Sequence, residues 1–285
     1  MPEGDTLFRT AAGLRPHLVG RHVTAARAQG PGPVPQVQRL IGRRIDAVES
    51  LGKNLLIRFD GGLEIRTHLR MHGSWHRYRP GERWRRSPAR ARLVLEVAGS
   101  VAVCFDAPVL ELFEQRTEHL HPSLSRLGPD LLAATFDPAE AHRRLRLPER
   151  EDTEIAVALL DQRALAGIGN VYKNEILWME GVSPFTAVRA TDDGTLDRLI
   201  ATAHRLLNAN VDPRRGSERV TTAGDRRAAG PLYIYGRGGR PCRRCGTRIT
   251  STQQGHELPR TTWWCPNCQG ATKAGQGGAR PETSR

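Results

Sequence analysis

Leu7, Ala11, Leu14 and Leu18 recur every three to four positions, so the spacing predicts an amphipathic helix over 6–18, close behind the amino terminus. After a Pro/Gly-rich loop at 30–35, short aliphatic runs at 45–50, 55–59, 63–68, 92–97 and 101–105 have the length and composition of strands. Asp60-Gly61-Gly62 and Ala98-Gly99-Ser100 separate two pairs of these runs as hairpin turns. Several strands joined by short turns predict a β-sandwich or barrel-like first domain. The texture changes after about residue 115, where His121-Pro122, Gly128-Pro129 and Asp137-Pro138 punctuate a connector. Helical spacing then takes over at 153–162, at 170–180 with a stop at Gly181, and through Leu196, Leu199, Ile200, Ala203, Leu206 and Leu207. Residues 211–230 read as a polar, basic loop and 271–285 as a disordered tail. The expected class is an α+β multidomain chain: a sandwich at 1–120, a helical domain at 121–230, a cysteine-bearing module at 231–270, then the tail.

Charge narrows the function. The 285 residues carry 43 Lys and Arg against 30 Asp and Glu, a formal +13, which points to a polyanionic partner and above all to nucleic acid. No run approaches the ~18 apolar residues of a membrane span, and the N-terminus lacks the apolar core of a signal peptide, so a cytoplasmic location is expected. Lys53, Lys173 and Lys273 are the only lysines, in a chain that otherwise uses arginine throughout. Arginine cannot give up its proton and so cannot replace a titrating lysine.

The cysteines give the strongest signal. Cys242-x2-Cys245 and Cys265-x2-Cys268, 19 residues apart, have the spacing of a four-thiolate zinc site with a β-hairpin between the pairs. Disulfides are the alternative, which a chain without a secretion signal disfavours. Four protein ligands would leave no open position, so the expected zinc is structural. Cys104, in the alternating run 101–105, reads as an inert core thiol.

Met1-Pro2-Glu3-Gly4 offers chemistry of another kind. A small second residue generally permits removal of the initiator methionine, which would leave the proline nitrogen as a free secondary amine beside a carboxylate. An α-amino group has a pKa of about 7.7–8.0, so roughly a tenth is neutral near pH 7. Condensation of a secondary amine with an aldehyde gives an iminium that cannot lose its charge by deprotonation, a lasting electron sink. Farther on, Gly167-Ile168-Gly169-Asn170 lies between two helical segments without the Gly-Lys-Ser/Thr of a Walker loop. It reads either as a tight corner with Asn170 capping a helix, or as a close approach to a phosphate at that helix's N-terminus.

Together these residues resemble the formamidopyrimidine-DNA glycosylase/endonuclease VIII family of base-excision repair enzymes. The likeness rests on Pro2-Glu3-Gly4, Gly52-Lys53, His68-Leu69-Arg70-Met71-His72-Gly73, Gly167-Ile168-Gly169-Asn170, Tyr235-Gly236-Arg237 and the finger with Arg260 five residues before Cys265. It runs from Pro2 to about Gln269. The resemblance implies a helix-two-turn-helix DNA-binding domain and one structural zinc ion. It further implies a bifunctional glycosylase and apurinic/apyrimidinic lyase, monomeric, acting on oxidised bases in double-stranded DNA through a Schiff base on the terminal proline and β,δ-elimination. On it, Pro2 is the nucleophile, Glu3 the general acid, Lys53 an aid to base release and elimination, and Arg260 a phosphate ligand with a part in δ-elimination. Asn170 would hold a backbone phosphate, Glu175 would match a family glutamate near the site and count among the DNA-binding residues, and Arg70, Met71 and His72 would fill the void left by an everted nucleotide. Asp106-Ala107-Pro108-Val109-Leu110-Glu111 stands where the formamidopyrimidine branch carries an Arg and a Phe, which favours the endonuclease VIII branch and oxidised pyrimidines. An oxidised-purine enzyme on the same fold, and a zinc-finger lesion-binding protein without catalysis, are the competing readings.

Overall fold

The computed structural model describes residues 2–212, 219–221, 230–255 and 258–270. Met1, most of the 211–230 loop and the 271–285 tail, on which the sequence carries expectations, lie outside the described residues. Helix α1 (Gly4–Leu18) leads into eight strands: β1 (Val23–Ala28), β2 (Ile45–Leu51), β3 (Asn54–Phe59), β4 (Leu63–His68), β5 (Ser74–Tyr78), β6 (Ala91–Val97), β7 (Ser100–Phe105) and β8 (Val109–Glu114). They form two antiparallel four-stranded sheets, ordered β1-β6-β7-β5 and β2-β3-β4-β8. This is the expected sandwich. Its core includes Leu55, Ile57, Phe59, Ile65, Leu93, Leu95, Ala102 and Cys104, together with Leu7, Ala11, Leu14 and Leu18 of α1. Burial pushes the Cys104 thiol far up, in keeping with an inert core residue.

The outer face of β6 and β7 is covered too. Tyr78, Val94, Val101, Val103 and Phe105 form a second apolar layer with Trp84 packed against it. Every residue of β7 is therefore buried, and it reads as a continuous apolar run.

Helices α2 (Pro138–Leu145), α3 (Ile155–Ala158), α4 (Asn170–Met179) and α5 (Asp193–Val211) follow, then the hairpin of β9 (Thr250–Gln254) and β10 (Arg260–Trp264). Two expectations need correction. Asp137-Pro138 begins α2: Asp137 accepts hydrogen bonds from the Ala139 and Glu140 N–H groups (2.9 and 3.3 Å), and Pro138 occupies the first helical turn. The helix expected over 153–162 is only the single turn α3, because Asp161 accepts the Arg163 N–H at 3.0 Å and turns the chain.

The register places the site. Leu51 pairs with Asn54, Asn54 with His68, and His68 with Val109. The β2–β3 turn that carries Lys53, the end of β4 and the start of β8 thus share one edge of the sandwich. Among the described residues no helix is long and apolar enough to cross a membrane.

Candidate active site

The amino terminus and the glycine-rich corner dock on each other. Gly4 N–H donates to the Gly167 carbonyl at 3.0 Å. Glu3, fully buried, accepts hydrogen bonds from the Gly169 and Val171 N–H groups at 2.9 and 2.8 Å, with the Tyr172 N–H at 3.4 Å. The Glu3 side chain therefore occupies the N-terminus of α4, where backbone donors are unpaired within the helix and the dipole favours negative charge. Both approaches require glycine. A Cβ on Gly4 would lie 2.9 Å from Gly167 Cα, and one on Gly169 would lie 2.3 Å from Glu3 Cδ. The corner's glycines thus serve neither of the two readings alone: they make room for the amino-terminal segment. Pro2, half-buried, is carried at the head of this assembly.

Cations surround Glu3. Lys53 projects from the β2–β3 turn, where Gly52 has φ 57° and its N–H donates to Asp130 Oδ2 at 2.7 Å. Burial lowers the Lys53 amine to about 8, with Arg260 and Arg219 adding to the effect and the Glu3 carboxylate opposing it. Arg219 forms a two-point ion pair with Asp5, its Nε 3.0 Å from Oδ2, lies 3.9 Å from Glu3 and covers the Tyr172 ring at 4.9 Å.

Helix α4 then fixes the finger. Three residues on one of its faces bond to three successive residues of β10: Asn170 Nδ2 to the Thr261 carbonyl (2.9 Å), Lys173 Nζ to Thr262 Oγ1 (2.7 Å), and Asn174 Oδ1 from the Trp263 N–H (2.7 Å). Arg260, half-buried at the start of β10, is placed by this seam, and among the described residues its guanidinium has no hydrogen-bond or ion-pair partner. Lys173 is fully buried, which lowers its amine to about 7, the nearby Arg260 contributing and Glu3 opposing. Asn170 keeps a second amide proton beyond the one given to Thr261. Glu175 is completely buried and accepts from the Tyr233, Ile234 and Tyr235 N–H groups (2.8, 2.9 and 2.9 Å) and the Thr221 hydroxyl. Expected among the DNA-binding residues, it instead organises the segment that leads into the finger.

At the sandwich edge, Leu69 is buried and the Gly73 N–H returns to its carbonyl at 2.9 Å, closing a tight turn from which Arg70, Met71 and His72 project into solvent. His68 accepts the Arg70 N–H through Nδ1 at 3.2 Å. Burial, with Lys53, Arg66 and Arg70 nearby, lowers its imidazole to about 4 and keeps it neutral.

The four cysteine sulfurs all lie within 4.8 Å of one another, with Cys242–Cys268 at 3.9 Å and Cys245–Cys265 at 3.4 Å. A tetrahedral Zn–S₄ centre with bonds of ~2.3 Å has edges of ~3.8 Å, so Cys242, Cys245, Cys265 and Cys268 fit structural zinc. Trp178 Nε1, from α4, donates to Cys242 Sγ at 3.3 Å and ties the site to the helical domain. Chelation, or Cys242→Ser, is expected to weaken binding of an abasic-analogue duplex at physiological salt by about tenfold or more, because the hairpin carrying Arg260 loses its anchor. Unchanged affinity in a titration followed by fluorescence anisotropy would count against this.

Residues 1–110 match the formamidopyrimidine-DNA glycosylase N-terminal domain, 127–222 the formamidopyrimidine-DNA glycosylase H2TH domain, and 239–270 the zinc finger found in FPG and IleRS. The chain is 41% identical to the probable endonuclease 8 2 of Streptomyces coelicolor, with 99% of each covered. It belongs to the formamidopyrimidine-DNA glycosylase/endonuclease VIII family. It is also 40% identical to the DNA-(apurinic or apyrimidinic site) lyase Nei2 of Mycolicibacterium smegmatis, over 95% of this chain and all of that one. In fold it resembles Lactococcus lactis Fpg, solved with abasic-site DNA, at a TM-score of 0.78 and 22% identity, over 94% of this chain and 99% of that one.

Within this endonuclease VIII-like chain the sequence concealed three residues that shape the site. Asp130, Lys173 and Arg219 each act across the fold, through Gly52, Thr262 and Asp5. A lone lysine in an arginine-rich chain was the one local signal among them.

Proposed function

We infer that this protein is a bifunctional DNA glycosylase and apurinic/apyrimidinic lyase of base-excision repair, with oxidised pyrimidines as its preferred lesions. The observation that carries the reading is the Glu3 carboxylate buried on the N-terminus of α4, which fixes the adjoining Pro2 within a ring of cations. With Met1 removed, the Pro2 amine attacks C1′ of the damaged nucleotide and the base leaves with the glycosidic electron pair. Glu3 takes the proton shed by the Pro2 nitrogen and delivers it to the ring oxygen as the C1′–O4′ bond opens, leaving an iminium. That iminium acidifies C2′–H. Loss of this proton expels the 3′ phosphate, and δ-elimination then expels the 5′ phosphate. Lys53, partly neutral at about 8, is suited to accept such a proton. Lys53 could also compete as the nucleophile. A primary amine, however, gives an imine that loses its charge on deprotonation, whereas the proline iminium cannot.

Arg260 and the second amide proton of Asn170 suit phosphates flanking the lesion. Arg70, Met71 and His72 suit the vacated place in the stack, since chemistry at C1′ requires the nucleotide to be everted. Glu175 supports the finger that carries Arg260, through the 233–235 segment it holds. The protein acts on double-stranded DNA as a monomer with one zinc ion, in the cytoplasm at the nucleoid.

The pyrimidine preference rests on the 106–111 segment, which lacks the Arg and Phe of the formamidopyrimidine branch. Single-turnover excision of thymine glycol is expected to exceed that of 8-oxoguanine opposite cytosine by about tenfold or more. Faster excision of 8-oxoguanine would assign the oxidised-purine activity instead.

A further inference from the structure

Among the described residues two that are not glycine have left-handed backbone conformations, Arg70 (φ 46°) and Asp106 (φ 53°). Such conformations persist where the surroundings hold them, and they gather at sites of function. A single arginine joins the two loops concerned. Asp106, between β7 and β8, accepts from Arg86 Nη1 at 2.5 Å and from Arg90 Nε at 2.8 Å, while its own N–H donates to the Arg90 carbonyl at 3.0 Å. Arg86 Nη1 also donates to the His72 carbonyl at 3.2 Å. Trp84, two residues before Arg86, is packed against Tyr78 and Phe105 (ring centroids 6.0 and 5.8 Å apart), which anchors the β5–β6 loop from which Arg86 reaches.

We propose that Arg86, held by Asp106, is a positioning residue that braces the 69–73 turn, so that Met71 and its neighbours enter the base stack as a preformed wedge. The proposal rests on the wedge reading given above. A side chain displaces a stacked base only if the backbone behind it resists being pushed back. Leu69 and the Gly73–Leu69 hydrogen bond hold the base of the turn. The His72 carbonyl lies on its outward limb, and Arg86 is the side chain that grips it there. Asp106, shared with Arg90, leaves the Arg86 guanidinium little freedom to swing toward a phosphate. Met71, 49% exposed beside this grip, is the large apolar side chain presented by the braced turn.

The test uses the full-length zinc-loaded protein and a duplex carrying a tetrahydrofuran abasic analogue opposite 2-aminopurine, whose fluorescence rises on unstacking. Amplitude is read at saturating protein, so that affinity does not enter. Arg86→Gln and Asp106→Asn are each expected to give about half the wild-type amplitude or less. Asparagine tolerates the left-handed backbone at 106, and melting temperature and zinc content identify any misfolded variant. Full amplitude at saturation in both variants would overturn the brace, and a reduction in Arg86→Gln alone would show that Asp106 does not hold Arg86 in that role and overturn it equally. A wild-type protein without any rise would show that no wedge is inserted. Failure of the wild type to excise thymine glycol, with its amplitude intact, would instead strike at the enzymatic reading and leave the brace standing.

Discussion

Gly169→Ala is expected to reduce excision of an oxidised base from duplex DNA by about a hundredfold or more, the range over which a general acid–base group acts. The backbone at 169 is ordinary, with φ −122° and ψ −165°, so alanine introduces no conformational strain. The loss is steric. The new methyl would sit 2.3 Å from Glu3 Cδ, 2.5 Å from Cγ and 2.7 Å from Oε1, and so the carboxylate must leave the helix terminus. Its departure strips buried N–H groups of their acceptor at about 1–3 kcal/mol each, which should lower the melting temperature by several degrees without unfolding the domain. Glu3→Gln gives the comparison, since it keeps the volume and removes the proton chemistry. Single-turnover kinetics on an intact lesion and on a preformed abasic site separate the steps, the first expected to suffer more because no base needs to leave from the second. Wild-type excision by the Gly169→Ala protein would show that the Glu3 position has no part in base release.

The second large effect concerns the terminal amine itself. Pro2→Leu is expected to retain Met1, because a bulky second residue blocks its removal, and the free amine is then displaced by one residue, about 3.3–3.6 Å. A misplacement of ~1 Å can already cost about a hundredfold, so strand cleavage at an abasic site should fall by at least that factor. Pro2→Gly permits removal of Met1 and leaves a primary amine in place. Its imine can lose the charge that drives elimination, and an intermediate loss of about ten- to a hundredfold is expected in the same gel assay. Equal rates for Pro2→Leu and the wild type would place the nucleophile elsewhere.

Much of the fold was legible because local periodicity reflects burial on one face. β3, β4, β6 and β7 form the central pairs of the two sheets and carry dense aliphatic runs, whereas β1, β5 and β8 are edge strands diluted by Arg27, Arg77, Glu111 and Glu114, and their pattern is weak. Asp137-Pro138 has two local meanings, a break or a helix start, and only packing decides between them. The zinc ligands were readable from spacing alone, because a tetrahedral ion imposes it. The candidate site was legible as motifs without its assembly. Pro2-Glu3-Gly4 and Gly167-Ile168-Gly169-Asn170 could each be recognised, but their docking links residues more than 160 positions apart, which no short-range pattern encodes. The same holds for the α4–β10 seam. Asn170, Lys173 and Asn174 share a helical face, yet nothing in their spacing names Thr261, Thr262 and Trp263 as partners.

The central claim, a covalent bond from the Pro2 nitrogen to deoxyribose, is tested most directly by borohydride reduction on abasic-site DNA, followed by peptide mass spectrometry of the trapped complex. The account predicts a single adduct on the terminal proline of a chain without Met1. An adduct on Lys53 or Lys173, or full trapping by a chain that retains Met1, would contradict it.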